Sequence, residues 1–80
     1  MSESTLQWVC EQFAEILELD PTEIGRQSRF ADDLDADSID LIEVVNAAEA
    51  EFGIEIDEDQ LYDIDTVEEF VQLLDDRRAT

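Results

Sequence analysis

Apolar residues recur at helical spacing in three separate segments of this 80-residue chain, and this periodicity constrains the fold more than any other feature. At about 100° per residue, the first segment gathers six apolar side chains within about 120° of one another. They are Leu6, Val9, Cys10, Phe13, Ile16 and Leu17.

Ser4 and Gln7 predict a capping box at the start of this helix. Cys10 lies inside the stripe, where we expect a buried and unreactive thiol. Trp8 points away from it, toward a partner or the following loop.

The second and third segments show the same period. The second is predicted to form a helix from Asp37, with Asp40 as its capping partner, to Phe52 before Gly53. Its core stripe contains Leu41, Val44, Val45, Ala48 and Phe52. Thr66 is predicted to cap the last helix, whose apolar residues again repeat at helical spacing. They are Val67, Phe70, Val71 and Leu74.

The segments between these helices contain turn signals and no lasting strand pattern. Asp20 and Pro21 predict one helical turn inside a long loop that runs to about Asp37. Three apolar residues are expected to anchor this loop in the core, namely Ile24, Phe30 and Leu34. The capping-box form of residues 57–60 predicts a short helix through about Leu61 or Tyr62. The fold class is therefore all-α: a small antiparallel bundle of three main helices plus one short helix, with a long loop between the first and second helices.

Composition shows that such a bundle can collapse and limits what it can do. Leu, Ile, Val and Phe make up 24 of the 80 residues, a share above the roughly 20% below which chains fail to fold. We therefore expect a single folded domain spanning residues 1–80. One Cys cannot form an internal disulfide or a zinc site. The chain contains no His and no Lys, which argues against catalysis of its own.

The charge balance indicates the kind of partner. The chain has 24 acidic and 4 basic side chains, a formal net charge of −20. The negative electrostatic field of such a chain disfavours binding to nucleic acid and to anionic membrane surfaces, and it favours binding to basic proteins. No apolar run approaches 18 residues, and the first residues have no basic segment typical of a signal peptide. We expect a cytoplasmic monomer without membrane insertion.

Ser38 opens the second predicted helix beside two isoleucines that fall outside its core stripe. With Ser38 at 0° on a helical wheel, Ile42 falls at about 40° and Ile39 at about 100°, whereas the core stripe lies between about 240° and 340°. Three polar residues share the isoleucine face, namely Glu43, Asn46 and Glu49. Between positions 32 and 69 there are 9 Asp and 7 Glu but no Lys or Arg. This face is a candidate docking patch for a basic protein.

The residues around Ser38 resemble a known family. Positions 35–40 read Asp-Ala-Asp-Ser-Ile-Asp and resemble the Asp-Ser-Leu attachment motif of acyl carrier proteins, with Ile39 in place of Leu. The resemblance extends along nearly the whole chain. It includes Asp32-Asp33-Leu34, Glu51-Phe52-Gly53, Ile54-Glu55-Ile56 and Thr66-Val67.

The resemblance implies that Ser38 receives 4′-phosphopantetheine from a phosphopantetheinyl transferase that uses coenzyme A, and that the arm's thiol holds acyl groups as thioesters. The free N–H groups and positive dipole end of a helix start are compatible with a phosphodiester there. The neighbouring acids, Asp35, Asp37 and Asp40, would oppose it.

The same resemblance implies which residues meet the partner enzymes of fatty-acid or polyketide biosynthesis. These partners are acyl-loading, ketosynthase, reductase or acyltransferase enzymes with basic docking patches. The docking positions are Asp37, Ile39, Ile42, Glu43, Asn46 and Glu49. Asn46 replaces a larger apolar residue common in fatty-acid carriers, and Ala48 replaces a frequent Leu, a change that could widen the space between helices.

Three alternatives stay open at this stage. A peptidyl or aminoacyl carrier would hold an amino acid on the same arm, but such modules typically resemble Gly-Gly-x-Ser around the attachment site. A calcium-binding loop would match Asp33, Asp35 and Asp37, yet Ser38 replaces its turn Gly and Val44 its bidentate Glu. No specific metal site is therefore expected. The third alternative is an acidic interaction module that mimics a polyanion and needs no arm.

Overall fold

The computed structural model describes residues 3–78, which form three α-helices and two short 3₁₀ helices. The α-helices are α1 (Glu3–Leu17), α2 (Ser38–Phe52) and α3 (Val67–Arg78), and the 3₁₀ helices are Pro21–Glu23 and Glu58–Asp63. Within residues 3–78 no strand forms, and β-type pairing is limited to an isolated bridge between Arg29 and Thr66. The predicted all-α class, with three main helices and a long loop between the first two, is confirmed.

The core forms where α1 packs against both α2 and α3. Three phenylalanine rings meet at its centre. The ring centroid of Phe13 lies 5.0 Å from that of Phe30 and 5.8 Å from that of Phe70. Phe30 belongs to the long loop, so the loop is held between two helices. Ile24 and Leu34 are each only 6% exposed, which confirms that these residues anchor the loop.

The start of α1 differs from its prediction. Glu3 is already helical, and Ser4 lies inside the helix with an exposed side chain. A capping residue must precede the helix, so the predicted capping box of Ser4 and Gln7 is wrong. The Gln7 amide instead donates to the Glu11 carboxylate one turn later, at 3.4 Å.

Cys10 and Trp8 lie on different sides of α1. The Cys10 thiol is half-buried and donates to the carbonyl oxygen of Ile24 at 3.6 Å. Burial raises its pKa, and the charge of Glu11 raises it further, which disfavours the reactive thiolate. Trp8 meets the Phe52 ring edge-on, with centroids 5.0 Å apart, so its aromatic partner is the end of α2 rather than the expected loop.

Both ends of α2 are formed by short-range hydrogen bonds, as predicted. The Asp37 carboxylate accepts from the Asp40 N–H at 3.0 Å, and the Asp40 carboxylate accepts from the Asp37 N–H at 3.2 Å. At the other end Gly53 has a left-handed backbone, with φ of 66°, and its N–H donates to the Glu49 carbonyl. Glycine adopts this conformation without steric cost.

The short helix after α2 is a 3₁₀ helix, Glu58–Asp63, and its predicted capping box is wrong. Asp57 precedes it but makes no capping hydrogen bond. The Gln60 amide oxygen instead accepts from the Arg77 guanidinium at 2.7 Å. Glu49 secures the preceding segment instead, since its carboxylate accepts from the Ile56 N–H at 2.9 Å.

The cap of α3 is confirmed. The Glu69 N–H donates to the Thr66 hydroxyl at 3.3 Å, and the Thr66 N–H donates to the Glu69 carboxylate at 3.1 Å. No helix in residues 3–78 combines the length and apolar content needed to cross a bilayer.

Candidate functional site

Ser38 is the first residue of α2, and its side chain is exposed. Within residues 3–78 its hydroxyl has no hydrogen-bond partner, and neither have the backbone N–H groups of Ser38 and Ile39. The next two N–H groups, of Asp40 and Leu41, both donate to Asp37. The open hydroxyl therefore lies at a helix N-terminus with two free amide donors, an environment that suits a phosphate group.

The loop before Ser38 is held by backbone hydrogen bonds. The Leu34 N–H donates to the Arg29 carbonyl at 3.0 Å, and the Ala36 N–H donates to the Phe30 carbonyl at 2.7 Å. Between them Asp35 adopts a left-handed conformation with φ of 54°, which Asp tolerates better than most residues. The turn at Asp35 and the buried Ala36 present Asp37 and Ser38 at the surface.

A small apolar cleft adjoins Ser38, between the start of α2 and the second 3₁₀ helix. Its volume is about 70 Å³. The lining residues are Ser38, Leu41, Ile42, Glu58, Leu61 and Tyr62. A group tethered to the Ser38 hydroxyl therefore starts at the edge of an apolar recess.

The six residues predicted to dock partners lie on α2 or cap it, but they differ in exposure. Ile39 is 66% exposed. Three others are exposed as well, namely Asp37, Glu43 and Asn46. Ile42 is half-buried because it lines the cleft. Glu49 is half-buried, and its carboxylate is engaged with the Ile56 N–H.

Sequence reasoning missed three residues of the site. Glu58, Leu61 and Tyr62 lie on the second 3₁₀ helix and form the wall of the cleft opposite α2. Tyr62 is 84% exposed, an unusual position for a large aromatic residue. The sequence signal for this wall was an adjacent Leu-Tyr pair in an otherwise acidic segment. The pair does not recur at helical spacing, so periodicity does not assign it to a face.

The acids around Ser38 make different hydrogen bonds and ion pairs. The Asp33 carboxylate accepts from the Arg29 N–H at 2.8 Å, and Asp37 caps α2. Arg29 itself pairs with Asp32 at 3.6 Å and Asp65 at 3.8 Å.

In residues 3–78 no three His, Cys, Asp or Glu side chains are grouped so as to hold a metal ion. The three aspartates that matched a calcium loop are therefore not arranged as ligands.

Comparisons with known proteins agree with this geometry. Residues 7–74 match the family model described as the phosphopantetheine attachment site. The chain is 43% identical over 65 residues to the acyl carrier protein of Zymomonas mobilis subsp. mobilis, covering 81% of this chain and 83% of that protein. It is 41% identical over 73 residues to the acyl carrier protein of Rickettsia canadensis, covering 91% of this chain and 85% of that one. The acyl carrier protein of Petrotoga mobilis is 41% identical over 69 residues, with 86% and 81% covered.

An exposed serine at a helix N-terminus, with free amide donors and an apolar recess beside it, fits the prosthetic group that these comparisons imply. The chain therefore belongs to the acyl carrier protein family, whose cofactor is 4′-phosphopantetheine.

Proposed function

We propose that Ser38 is the residue that receives 4′-phosphopantetheine, and that the protein carries acyl groups for the enzymes of fatty-acid or polyketide biosynthesis. The observation that carries this proposal is the unbonded, exposed Ser38 hydroxyl at the start of α2. The other serines in residues 3–78 fit less well. Ser4 lies within α1, and the half-buried Ser28 has a hydroxyl that accepts from the Gly25 N–H at 2.9 Å.

The chain's own part is to supply the attachment atom and to position the cargo. The Ser38 hydroxyl oxygen forms a bond to the phosphorus that carries pantetheine in coenzyme A and gives up its proton to the transferase. The pyrophosphate P–O bond of coenzyme A breaks in the same step, and 3′,5′-adenosine bisphosphate leaves. The free amides of Ser38 and Ile39 face the new anion. When bound, the prosthetic group supplies a thiol on which acyl groups are held as thioesters. Tethering gives the cargo a high effective concentration at a docked enzyme. The protein acts as a non-catalytic carrier, and we place it in the cytoplasm as a monomer.

The surface proposed to dock the transferase and the biosynthetic enzymes is the exposed side of α2. It combines an exposed isoleucine, which can be desolvated by a partner, with acids that attract basic residues. Its centre comprises Asp37, Ile39, Glu43 and Asn46, and its edges comprise Ile42 and Glu49. The exposure of the four central residues supports this choice.

Intact-protein mass spectrometry after incubation with coenzyme A and a promiscuous phosphopantetheinyl transferase tests the attachment. We expect the parent protein to gain the mass of one phosphopantetheine and Ser38→Ala to gain none. Ser4→Ala is the matched control, because it removes another exposed serine hydroxyl at a helical position, and it should be modified like the parent. An unmodified parent protein, or a mass gain that survives Ser38→Ala, would contradict the proposal.

A further inference from the structure

Five aspartates lie close to Ser38 in the sequence, and four of them bond to neighbouring groups. They are Asp32, Asp33, Asp35, Asp37 and Asp40. Asp37 and Asp40 cap α2 reciprocally, since each carboxylate accepts from the other residue's N–H. The Asp33 carboxylate accepts from the Arg29 N–H at 2.8 Å, and the Asp32 carboxylate pairs with the Arg29 guanidinium at 3.6 Å. These four carboxylates therefore all have a partner within the chain.

Asp35 differs from the other four. Its side chain is exposed, and within residues 3–78 its carboxylate makes no hydrogen bond or ion pair. Three residue steps of at most about 3.6 Å each separate it from Ser38, so the two Cα atoms lie within about 11 Å of one another. This separation is comparable with the screening length of about 8–10 Å near physiological salt. The Asp35 charge therefore lies near the position at which attachment creates a phosphodiester anion.

The backbone at position 35 is also unfavourable for a side chain. Its φ of 54° is left-handed, a conformation that glycine adopts without steric cost and other residues do not. The turn is held on one side by the bond from the Leu34 N–H to the Arg29 carbonyl, and on the other by the bond from the Ala36 N–H to the Phe30 carbonyl. Neither bond involves the Asp35 carboxylate. An unfavourable backbone conformation next to a reactive group is grounds for a functional hypothesis.

The partner that must reach the Ser38 hydroxyl itself is the transferase. Ser38 lies between the loop that contains Asp35 and the rest of α2, so an enzyme whose active site covers the hydroxyl approaches both sides of it. Enzymes that act later meet the thiol at the far end of the attached arm and can dock on α2 without covering position 35. A basic side chain of the transferase beside Asp35 would neutralise the carboxylate while the new anion forms.

We propose that Asp35 is a recognition residue for the phosphopantetheinyl transferase, and that a basic side chain of that enzyme pairs with its carboxylate during attachment. The inference rests on the proposed attachment at Ser38 and adds a residue that lies outside the docking surface assigned to α2. It separates the partners as well, because the loading step depends on the Asp35 charge and later acyl transfer does not.

Steady-state loading kinetics of Asp35→Asn test the inference. Asn tolerates the left-handed backbone and removes the charge. We expect kcat/KM for the protein substrate to fall on the order of 3–10-fold, through a higher KM at an unchanged kcat, because a charge at the edge of an interface acts mainly on association. The loss should shrink as salt is added. Asp35→Glu keeps the charge and should recover most of the rate; Glu18 shows that this chain accommodates a left-handed glutamate, with φ of 58°.

Two further variants separate the charge from the backbone and from net charge. Asp35→Gly removes the charge and relieves the left-handed backbone, and it should load as slowly as Asp35→Asn. Glu51→Gln removes an exposed charge about 20 Å further along α2 and should load like the parent. Thermal melting confirms that each variant is folded. After complete loading, Asp35→Asn and the parent should accept an acyl group equally fast from an acyltransferase that uses an acyl coenzyme A.

The outcomes distinguish this inference from the proposed function. A parent protein that is not modified at Ser38 would overturn both. Normal loading of the parent, with an unchanged KM in Asp35→Asn, would overturn only the role of Asp35. Faster loading of Asp35→Asn would overturn it too, because the charge would then only oppose the phosphodiester. Equal slowing of Asp35→Asn and Glu51→Gln, or equal slowing of the later acyl transfer, would replace recognition by the transferase with a general effect of charge.

Discussion

Glu43 is the acid on α2 best placed to report on docking, because its side chain is exposed and its carboxylate makes no hydrogen bond within residues 3–78. We expect Glu43→Lys to slow transferase loading and acyl transfer by on the order of 3–10-fold, since a rim charge acts mainly on the association rate. The effect should shrink as salt is added. Steady-state kinetics at low and high ionic strength measure both changes.

Glu51→Lys is the control for this reversal. Glu51 is another exposed acid on α2, but it falls at about 220° on the wheel, away from the proposed docking surface. Equal slowing by both variants would show that net charge, rather than this face, controls association. Unchanged kinetics in Glu43→Lys would remove Glu43 from the surface.

Glu69 makes stability depend on pH. The N–H groups of Asp65 and Thr66 donate to its carboxylate and lower its pKa below the usual value. A carboxyl group with a lowered folded pKa stabilises the protein above its unfolded pKa of about 4.3, and this contribution disappears as the pH falls through the folded pKa. Glu69→Gln should therefore melt at a lower temperature than the parent near neutral pH, and the difference should shrink in acid.

Thermal melts of the parent and Glu69→Gln between neutral pH and about pH 3 measure this difference. Glu51→Gln is the control, because its exposed carboxylate has no hydrogen-bond partner in residues 3–78. A difference between the parent and Glu69→Gln that stays constant across the range would mean that the charge of Glu69 does not stabilise the cap.

At the scale of elements, the sequence predicted those helix ends that depend on neighbouring residues. Asp37 with Asp40, and Thr66 with Glu69, are three residues apart, so their capping pattern is visible in the sequence. The second 3₁₀ helix was also predicted from residues 57–60, but the contact that holds it could not be. Gln60 bonds to Arg77, 17 positions away, and only the folded chain brings them together.

The ends of α1 and α3 are joined by another long-range contact. Thr5 has no exposed surface, and its hydroxyl donates to the Asp75 carboxylate at 2.8 Å and accepts from the Arg78 guanidinium at 2.7 Å. The same guanidinium lies 4.3 Å from the centre of the Phe52 ring at the end of α2. This cluster therefore connects all three α-helices.

Thr5→Val keeps the shape of the side chain and removes its hydroxyl. We expect a loss of about 1–3 kcal/mol in the free energy of unfolding, because buried hydrogen bonds to charged partners are lost. Thr22→Val is the control, since the Thr22 hydroxyl bonds to Asp20 at the exposed surface. Chemical denaturation measures both variants. A loss in Thr5→Val no larger than that in Thr22→Val would contradict the role assigned to the cluster.

The site also combines residues that lie close together in the sequence with residues that only folding brings together. Ser38 and the exposed Ile39 could be chosen from the order of residues on one helix. The cleft could not, because Leu61 and Tyr62 reach Ser38 only through the packing of the 3₁₀ helix against α2. Helical periodicity also assigned Glu49 to the outer face but could not show that its carboxylate binds the Ile56 N–H.

At the scale of the whole molecule, the net charge of −20 opposes compaction through self-repulsion. The acids between positions 32 and 69 have no Lys or Arg among them. Millimolar Mg²⁺ should therefore raise the melting temperature at low salt, more than NaCl of equal ionic strength does. Differential scanning calorimetry checks this prediction. An unchanged melting temperature in Mg²⁺ would show that repulsion does not limit stability.

The central claim, that Ser38 carries the prosthetic group, is tested most directly by locating the modification within the chain. The chain has no Lys, and its arginines are at positions 26, 29, 77 and 78, so trypsin releases residues 30–77 as one peptide in which Ser38 is the only serine. After loading with coenzyme A and a transferase, tandem mass spectrometry should find one phosphopantetheine on this peptide, at Ser38. A modification on residues 1–26, or at any other residue of 30–77, would contradict the account.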